Sequence, residues 1–505
     1  MSKKLLASRL KELDRAESYG QWREIALELD GLEGADAWKQ DETSDDYDYL
    51  LIRERLRLMR ELRRRGDVRE LTFHLAEGLH GNLGNTSNPL LYGYARIGSK
   101  RLIEEYVEEA ARCLDYICVG DFPNFSDDEK VLFFKRTGAS FGRSALLLSG
   151  GATLGMFHLG VIKALWENGL LPRVLSGSSA GSIIAAMVAT RSDAQLPAIF
   201  DPHGLNLAAF QRVSFVKMFR HGSTLMDSER LEDCLTANIG EESFVQAFER
   251  TRRILGVTVS PAELHQQPRL LNYLTAPNVL VRKAVQASCA IPGVFDPVTL
   301  LARDFNGEAV PYMRSKLWID GSLANDLPLL RLARLHNVNH YIVSQTNPHV
   351  VPFLRDNIGR RRGLTNLTSE LVKVAGRDVV KVAREHLNSY AAGRVVDKLN
   401  DILQQRYSGD VTIFPAHTPR QLMRMLSNPS AEDIRQYIRA GERATWPKIE
   451  RVRMQTRISR AFEDCLQWLK DRAEERQLSK LRPRIKSVRP ARTTAELEIS
   501  ARTHD

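Results

Sequence analysis

Five cysteines among 505 residues (Cys113, Cys118, Cys234, Cys289, Cys465) are too few, and too irregularly spaced, for a disulfide framework or a zinc site. An odd, sparse set fits a reducing compartment. Long apolar runs are missing too. Residues 144–162 and 174–190 carry no Asp, Glu, Lys or Arg, yet Gly150, Gly151, Gly155, Gly177 and Gly181 break them before either can span a bilayer. A charged fraction of 27% and a mean hydropathy of −0.30 argue strongly against an integral membrane protein. A secretion leader is not visible: Arg9, Lys11 and Glu12 end the short apolar run after Lys3-Lys4, so a cytoplasmic location is expected. Two nucleotide signatures fail as well. A P-loop needs Lys-Ser/Thr after its second glycine, where Met156-Phe157 follows Gly155, and Gly150-Gly151-x-x-x-Gly155 is not G-x-G-x-x-G. The net charge of +10 comes with no nucleic-acid-binding motif, so no nucleic-acid partner is expected.

What is present starts at Gly177-Ser178-Ser179-Ala180-Gly181. Before it lies a short apolar stretch, Val174-Leu175-Ser176, preceded by Pro172; after it, residues 182–189 read as a buried helix. Strand, tight turn and helix are the setting that a G-x-S-x-G nucleophile elbow requires. Its glycines let the turn bend, leaving Ser179 at the tip with a helix N-terminus behind it. Upstream, residues 143–148 read as a buried strand, residues 149–155 as a glycine loop, and residues 156–168 as a helix with Phe157, Val161 and Leu165 on one face. Backbone N–H groups in such a loop can converge on an anion, and an oxyanion hole built from Gly150, Gly151 and Ala152 is the reading that survives. Downstream, Trp318-Ile319-Asp320-Gly321 places an acid at the end of a short strand. Alone, an Asp-Gly pair is more often a plain turn. Beside a serine nucleophile it becomes a candidate base.

Glycine loop, G-x-S-x-G and Asp-Gly in that order resemble the patatin-like phospholipase family. The likeness is nearest to the sugar-dependent triacylglycerol lipases of plants and yeast. It is carried by residues 148–165, 272–295, 318–330 and 337–355, by Ser322 after Asp-Gly, and by Trp38, residues 45–55, Asn82-Leu83-Gly84 and Leu91-Tyr92 in the N-terminal segment. The resemblance covers roughly residues 20–415. It implies a three-layer α/β sandwich with a central, mostly parallel sheet, a helical N-terminal domain and a helical C-terminal extension. It also implies a Ser–Asp dyad without histidine: Ser179 as nucleophile, Asp320 as proton acceptor, and Gly155, Gly177, Gly181 and Gly321 as motif glycines. Such a site cleaves fatty-acyl esters of glycerolipids, or transfers the acyl group to another glycerolipid, with no metal or cofactor. A carboxylate of ordinary pKa is a weak base, and burial beside an acyl chain would strengthen it. Two alternatives stay open. One is an α/β-hydrolase triad in the order Ser179, Asp320 and then His336, His340 or His349; the other is a non-catalytic lipid-surface protein on the same fold.

The expected organisation is a helical domain over residues 1–125, a linker helix over 126–142, a catalytic domain over 143–415, a helical extension over 416–480 and a basic tail over 481–505. Residues 49–65 and 102–118 read as helices, the first closed by Gly66, and Ser126 to Glu129 form a capping box for a helix through Lys135. Basic clusters at residues 60–65, 360–362, 451–460 and 482–492 suit attraction to an anionic membrane or lipid-droplet surface as well as a plain solvated face. Phe200, Phe210, Phe215, Met218 and Phe219, mixed with Arg212, Lys217 and Arg220, suggest either a lid that meets lipid or ordinary core packing.

Overall fold

The computed structural model describes residues 3–206, 226–263, 266–321, 327–348, 350–351, 408–416 and 418–481. Its strands are β1 (Arg143–Leu148), β2 (Val174–Gly177), β3 (Ile254–Pro261), β4 (Arg269–Leu271), β5 (Leu301–Arg303), β6 (Ala309–Pro311), β7 (Trp318–Asp320), β8 (Val338–Ser344) and β9 (Val411–Ile413). Among the described residues, seven of them form one sheet in the order β4-β3-β2-β1-β8-β9, with β7 also joined to β3; β5 and β6 form a separate hairpin. The central pairs β1–β2, β1–β8, β2–β3 and β8–β9 are parallel, while β4 and β7 run antiparallel to β3.

Parallel strands covered on both faces read as continuous apolar runs, which is the pattern of Ala145-Leu146-Leu147-Leu148. Alternate side chains then go to opposite layers. Leu146 and Leu148 face the larger core, packed by helices Phe157–Glu167, Ala180–Ala189, Val281–Cys289 and Ala431–Thr445. Ala145 and Leu147 face the other, where Leu332 of helix Leu329–His336 packs. Three layers result.

The N-terminal helices hold a core of their own. Ile52, Leu56, Met59 and Leu62 line one face of helix Tyr49–Arg65 and meet helix Arg101–Val119. Gly66 ends the former in a left-handed cap at φ 73°, as its position predicts. The capping box of Ser126 and Glu129 is formed, but its helix runs Asp127–Phe141, past the expected Lys135. Gly138 is tolerated inside it because Phe462 of helix Ile449–Leu481 lies against that glycine, 3.4 Å from where a Cβ would stand.

That last helix joins the two cores. Ile449 and Val452 belong to the sheet core, whereas Ile458, Ala461, Phe462, Cys465 and Leu469 belong to the N-terminal one. The basic clusters among the described residues are largely engaged within the fold. Arg60 pairs with Glu105 at 2.8 Å and Arg63 with Glu109 at 2.7 Å, while Arg457 reaches Glu108 at 3.3 Å. Residues 360–362 and 482–492 lie outside the described residues, as do Phe210, Arg212, Phe215, Lys217, Met218, Phe219 and Arg220 of the suggested lid.

Candidate active site

Open α/β sheets carry their chemistry beyond the carboxyl ends of the strands. Here β1 ends in the glycine loop and β2 in the elbow. Ser179 sits at φ 49° and ψ −126°, a conformation that costs energy in a non-glycine residue and persists only where the surroundings enforce it. Those surroundings are close backbone. A Cβ on Gly177 would strike Gly181 and Ser182, and one on Gly181 would strike the carbonyls of Leu148 and Ser149. Both glycines are therefore required by contact, and the turn is pressed onto the end of β1. The Ser178 N–H donates to the Leu148 carbonyl at 3.2 Å, and the Ser182 hydroxyl donates to the Ser179 carbonyl at 2.6 Å.

Asp320 reaches the same place by register. β2 pairs with β3 as far as Gly177 opposite Val257, and β4 occupies the other edge of β3. β7 then takes up the lane that β2 vacates, with Asp320 opposite Val259. Asp320 thus stands two positions beyond Gly177 along one lane, about 7 Å at strand rise, with the Ser178-Ser179 turn beside it. It is 1% exposed.

A third segment ties the two together, and its role was not read from the sequence. The Ser288 hydroxyl oxygen accepts the Ser179 N–H at 3.0 Å and donates to the Thr258 carbonyl at 2.8 Å. Two residues on, the Ala290 carbonyl accepts the Asp320 N–H at 3.0 Å. Between them, burial pushes the Cys289 thiol up, the nearby Asp320 carboxylate adds to the rise, and hydrogen bonds with Ser182 and Ser179 oppose it. The end of helix Val281–Cys289 is thus a clasp on both residues. Pro292, which stops that helix, was its available signal.

The glycine loop is braced from below. His158 is fully buried, with Nε2 3.0 Å from the Ser149 carbonyl and Nδ1 2.7 Å from the Ser344 hydroxyl. The carbonyl can only accept, so Nε2 carries the proton and Nδ1 receives the serine's. Burial lowers the pKa of His158 to about 4 despite the hydrogen bond to Ser149. Thr346 donates from Oγ1 to the Gly150 carbonyl at 3.0 Å and from its N–H to the Ser149 hydroxyl at 2.8 Å. Gly151 has φ 157°, and a Cβ there would run into the Thr346 side chain. Ala152 follows at φ 49°. A 3₁₀ turn spans Ala152–Met156 before helix Phe157–Glu167, so the expected loop is already winding at Ala152.

Above Ser179 opens an apolar pocket lined by Ala152, Met156, Ile183, Met187, Leu231, Val294, Phe295 and Leu426, with Ser179 and Cys289 in its wall. Two of the three candidate histidines are elsewhere. His340 pairs in register with Ser144, at the amino end of β1, about 13 Å of strand from Ser344. Its ring lies between the Ser144 hydroxyl at 3.1 Å and the Gln455 side chain at 3.0 Å. His336 ends the helix before β8 and stacks on Tyr273, with centroids 6.0 Å apart. His349 and Ser322 lie outside the described residues.

Comparison with known proteins gives the family of the chain. The model of the patatin-like phospholipases matches residues 146–333, and a domain of unknown function (DUF3336) matches residues 3–139. Triacylglycerol lipase ptl3 of Schizosaccharomyces pombe is 36% identical over 453 residues, covering 87% of this chain and 92% of the relative. Triacylglycerol lipase SDP1L of Arabidopsis thaliana is 36% identical over 89% of this chain, which spans only 57% of that protein. Among solved structures, VipD from Legionella pneumophila aligns over 59% of this chain and 67% of its own, at 14% identity and a TM-score of 0.28. The chain belongs to the patatin-like phospholipase family, a family of carboxylic ester hydrolases. No helix among the described residues is long and apolar enough to cross a membrane.

Proposed function

We propose that this protein is a serine lipid acyl hydrolase that cleaves fatty-acyl esters of glycerolipids with Ser179 and Asp320. The observation that carries the reading is the shared lane on β3. In that lane the buried Asp320 follows two positions beyond Gly177, whose turn carries Ser179 on a strained elbow in the wall of a pocket of acyl-chain character. Asp320 takes the Ser179 proton as the hydroxyl attacks the ester carbonyl. N–H groups of residues 150–152 hold the developing oxyanion. Asp320 returns the proton to the leaving alcohol, then activates water to release the fatty acid from Ser179. A glycerolipid alcohol in place of that water gives acyl transfer from the same groups.

The names of the relatives favour triacylglycerol as substrate; in this reading the enzyme meets it at a membrane or lipid-droplet surface from the cytoplasmic side. In this reading residues 143–415 hold the chemistry, residues 1–125 form the helical domain, and residues 126–142 and 416–480 connect and complete them. The test is a panel of emulsified tri-, di- and monoacylglycerol and phospholipid. Wild type should release fatty acid from at least triacylglycerol, and Ser179→Ala from none. Equal release by the two would remove the proposal.

A further inference from the structure

Beyond the catalytic residues, the pocket has a rim built by a segment past residue 415. The Thr153 N–H donates to the Met425 carbonyl at 3.1 Å, and the Thr153 hydroxyl donates to the Ser427 carbonyl at 2.7 Å. These bonds fasten residues 425–427 to the turn that follows the glycine loop, and Leu426 lines the pocket together with Ser179. From that rim apolar surface continues outward. Leu426 is 41% exposed, Leu422 is 37% exposed, and Met423, at the end of the short helix Pro419–Met423, is 82% exposed. Three large apolar side chains in five residues, beside a pocket mouth, are not the isolated surface residues of an ordinary fold. Residues 418–430 contain two arginines, Arg420 and Arg424, and no acid. Arg424 lies 3.5 Å from Asp433 at 46% side-chain exposure, and Arg420 is exposed.

We propose that residues 418–427 are the element through which the pocket mouth docks on a lipid surface, with Leu422 and Met423 entering the acyl region and Arg420 meeting anionic headgroups. The inference rests on the acyl-ester reading of the site, because it is continuity with that pocket that selects a lipid surface over a protein. Apolar side chains at an interface gain by burial, and adjacent cations gain from negative lipid. An acyl chain leaving the surface at Leu426 would pass directly into the pocket.

The experiment is co-flotation of Ser179→Ala protein with trioleoylglycerol emulsions coated in phosphatidylcholine, with and without phosphatidylserine. This background measures binding without turnover, so a failed functional reading and a failed docking surface are told apart. Adding Leu422→Asp and Met423→Asp should weaken binding about tenfold or more, the scale of one buried apolar side chain. Arg420→Gln should weaken binding only where phosphatidylserine is present. In the otherwise native enzyme the same Leu422 and Met423 changes should leave hydrolysis of a soluble short-chain ester unaltered. Met423→Ser, at the most exposed position, should show the same direction if the double change disturbs folding. Unchanged flotation by a variant with native melting temperature would overturn the proposal. So would a wild-type dimer that the double change dissolves, since the patch would then belong to a second copy.

Discussion

The two ends of the central sheet are built from similar materials and put to different use. At the amino ends, His336 is buried and His340 half-buried, their pKa values lowered first of all by burial, and each is held by neighbours: Ser144 and Gln455 for His340, Tyr273 for His336. At the carboxyl ends His158 is fully buried. There, however, the chain bends at φ 49° at both Ala152 and Ser179, glycines let backbone touch backbone, and an apolar pocket opens above. Buried titratable groups do not distinguish the ends. Strained backbone aimed at a cavity does, and that is where catalytic geometry is usually stored.

The sharpest way to break this contrast is at Gly151. A side chain there meets Thr346 and displaces the loop whose N–H groups are assigned to the oxyanion. Gly151→Val should lower kcat by about 10²–10³ with little change in KM, the loss seen on removing one oxyanion donor. A normal kcat in a stable variant would reduce the loop to scaffolding.

A smaller effect is expected at Ser288, a positioning residue that touches no substrate. Ser288→Ala leaves the buried Ser179 N–H without its acceptor, at a cost of about 1–3 kcal/mol. If that cost falls on the elbow, kcat drops about 10–100-fold at nearly constant KM, and Ser288→Thr restores much of it. An unchanged kcat, or a loss confined to melting temperature, would make the clasp merely structural.

The smallest effect is one of stability. The folded protein holds His158 neutral down to about pH 4, whereas the unfolded chain accepts a proton near the ordinary 6.5. The stability from keeping it neutral is therefore complete above about pH 6.5 and is lost as pH falls toward 4. The melting temperature should fall across that window, and His158→Asn should flatten part of the fall. His336, also lowered to about 4 by burial, supplies another part. Identical slopes in wild type and His158→Asn would show that this ring is not involved.

How legible each end was follows from sequence distance. β1, the helix closed by Gly66 and the elbow were readable because apolar runs, caps and glycines act between near neighbours. Asp320 was readable as a residue, but its placement depends on β7 taking over the lane of β2, which no local pattern reveals. The Ser179–Ser288 bond joins residues 109 apart, and the Thr153–Ser427 bond residues 274 apart. Neither Ser288 in a short amphipathic helix nor Leu426 in the turn after a short helix carries a local mark of its contact. The cluster at residues 60–65 left two readings open for the complementary reason, since Glu105 and Glu109, the partners of Arg60 and Arg63, lie on another helix.

The central claim is that Ser179 is activated by Asp320 with no histidine. Turnover of a soluble chromogenic acyl ester by Asp320→Asn, His336→Ala, His340→Ala and His349→Ala, each checked for native folding, tests it most directly. The account expects Asp320→Asn to lose several orders of magnitude and each histidine variant to keep most of its activity, since enzymes that rely on a general base lose at least 10²–10⁴ without it. A collapse of comparable size on any one histidine, or an active Asp320→Asn, would contradict the dyad.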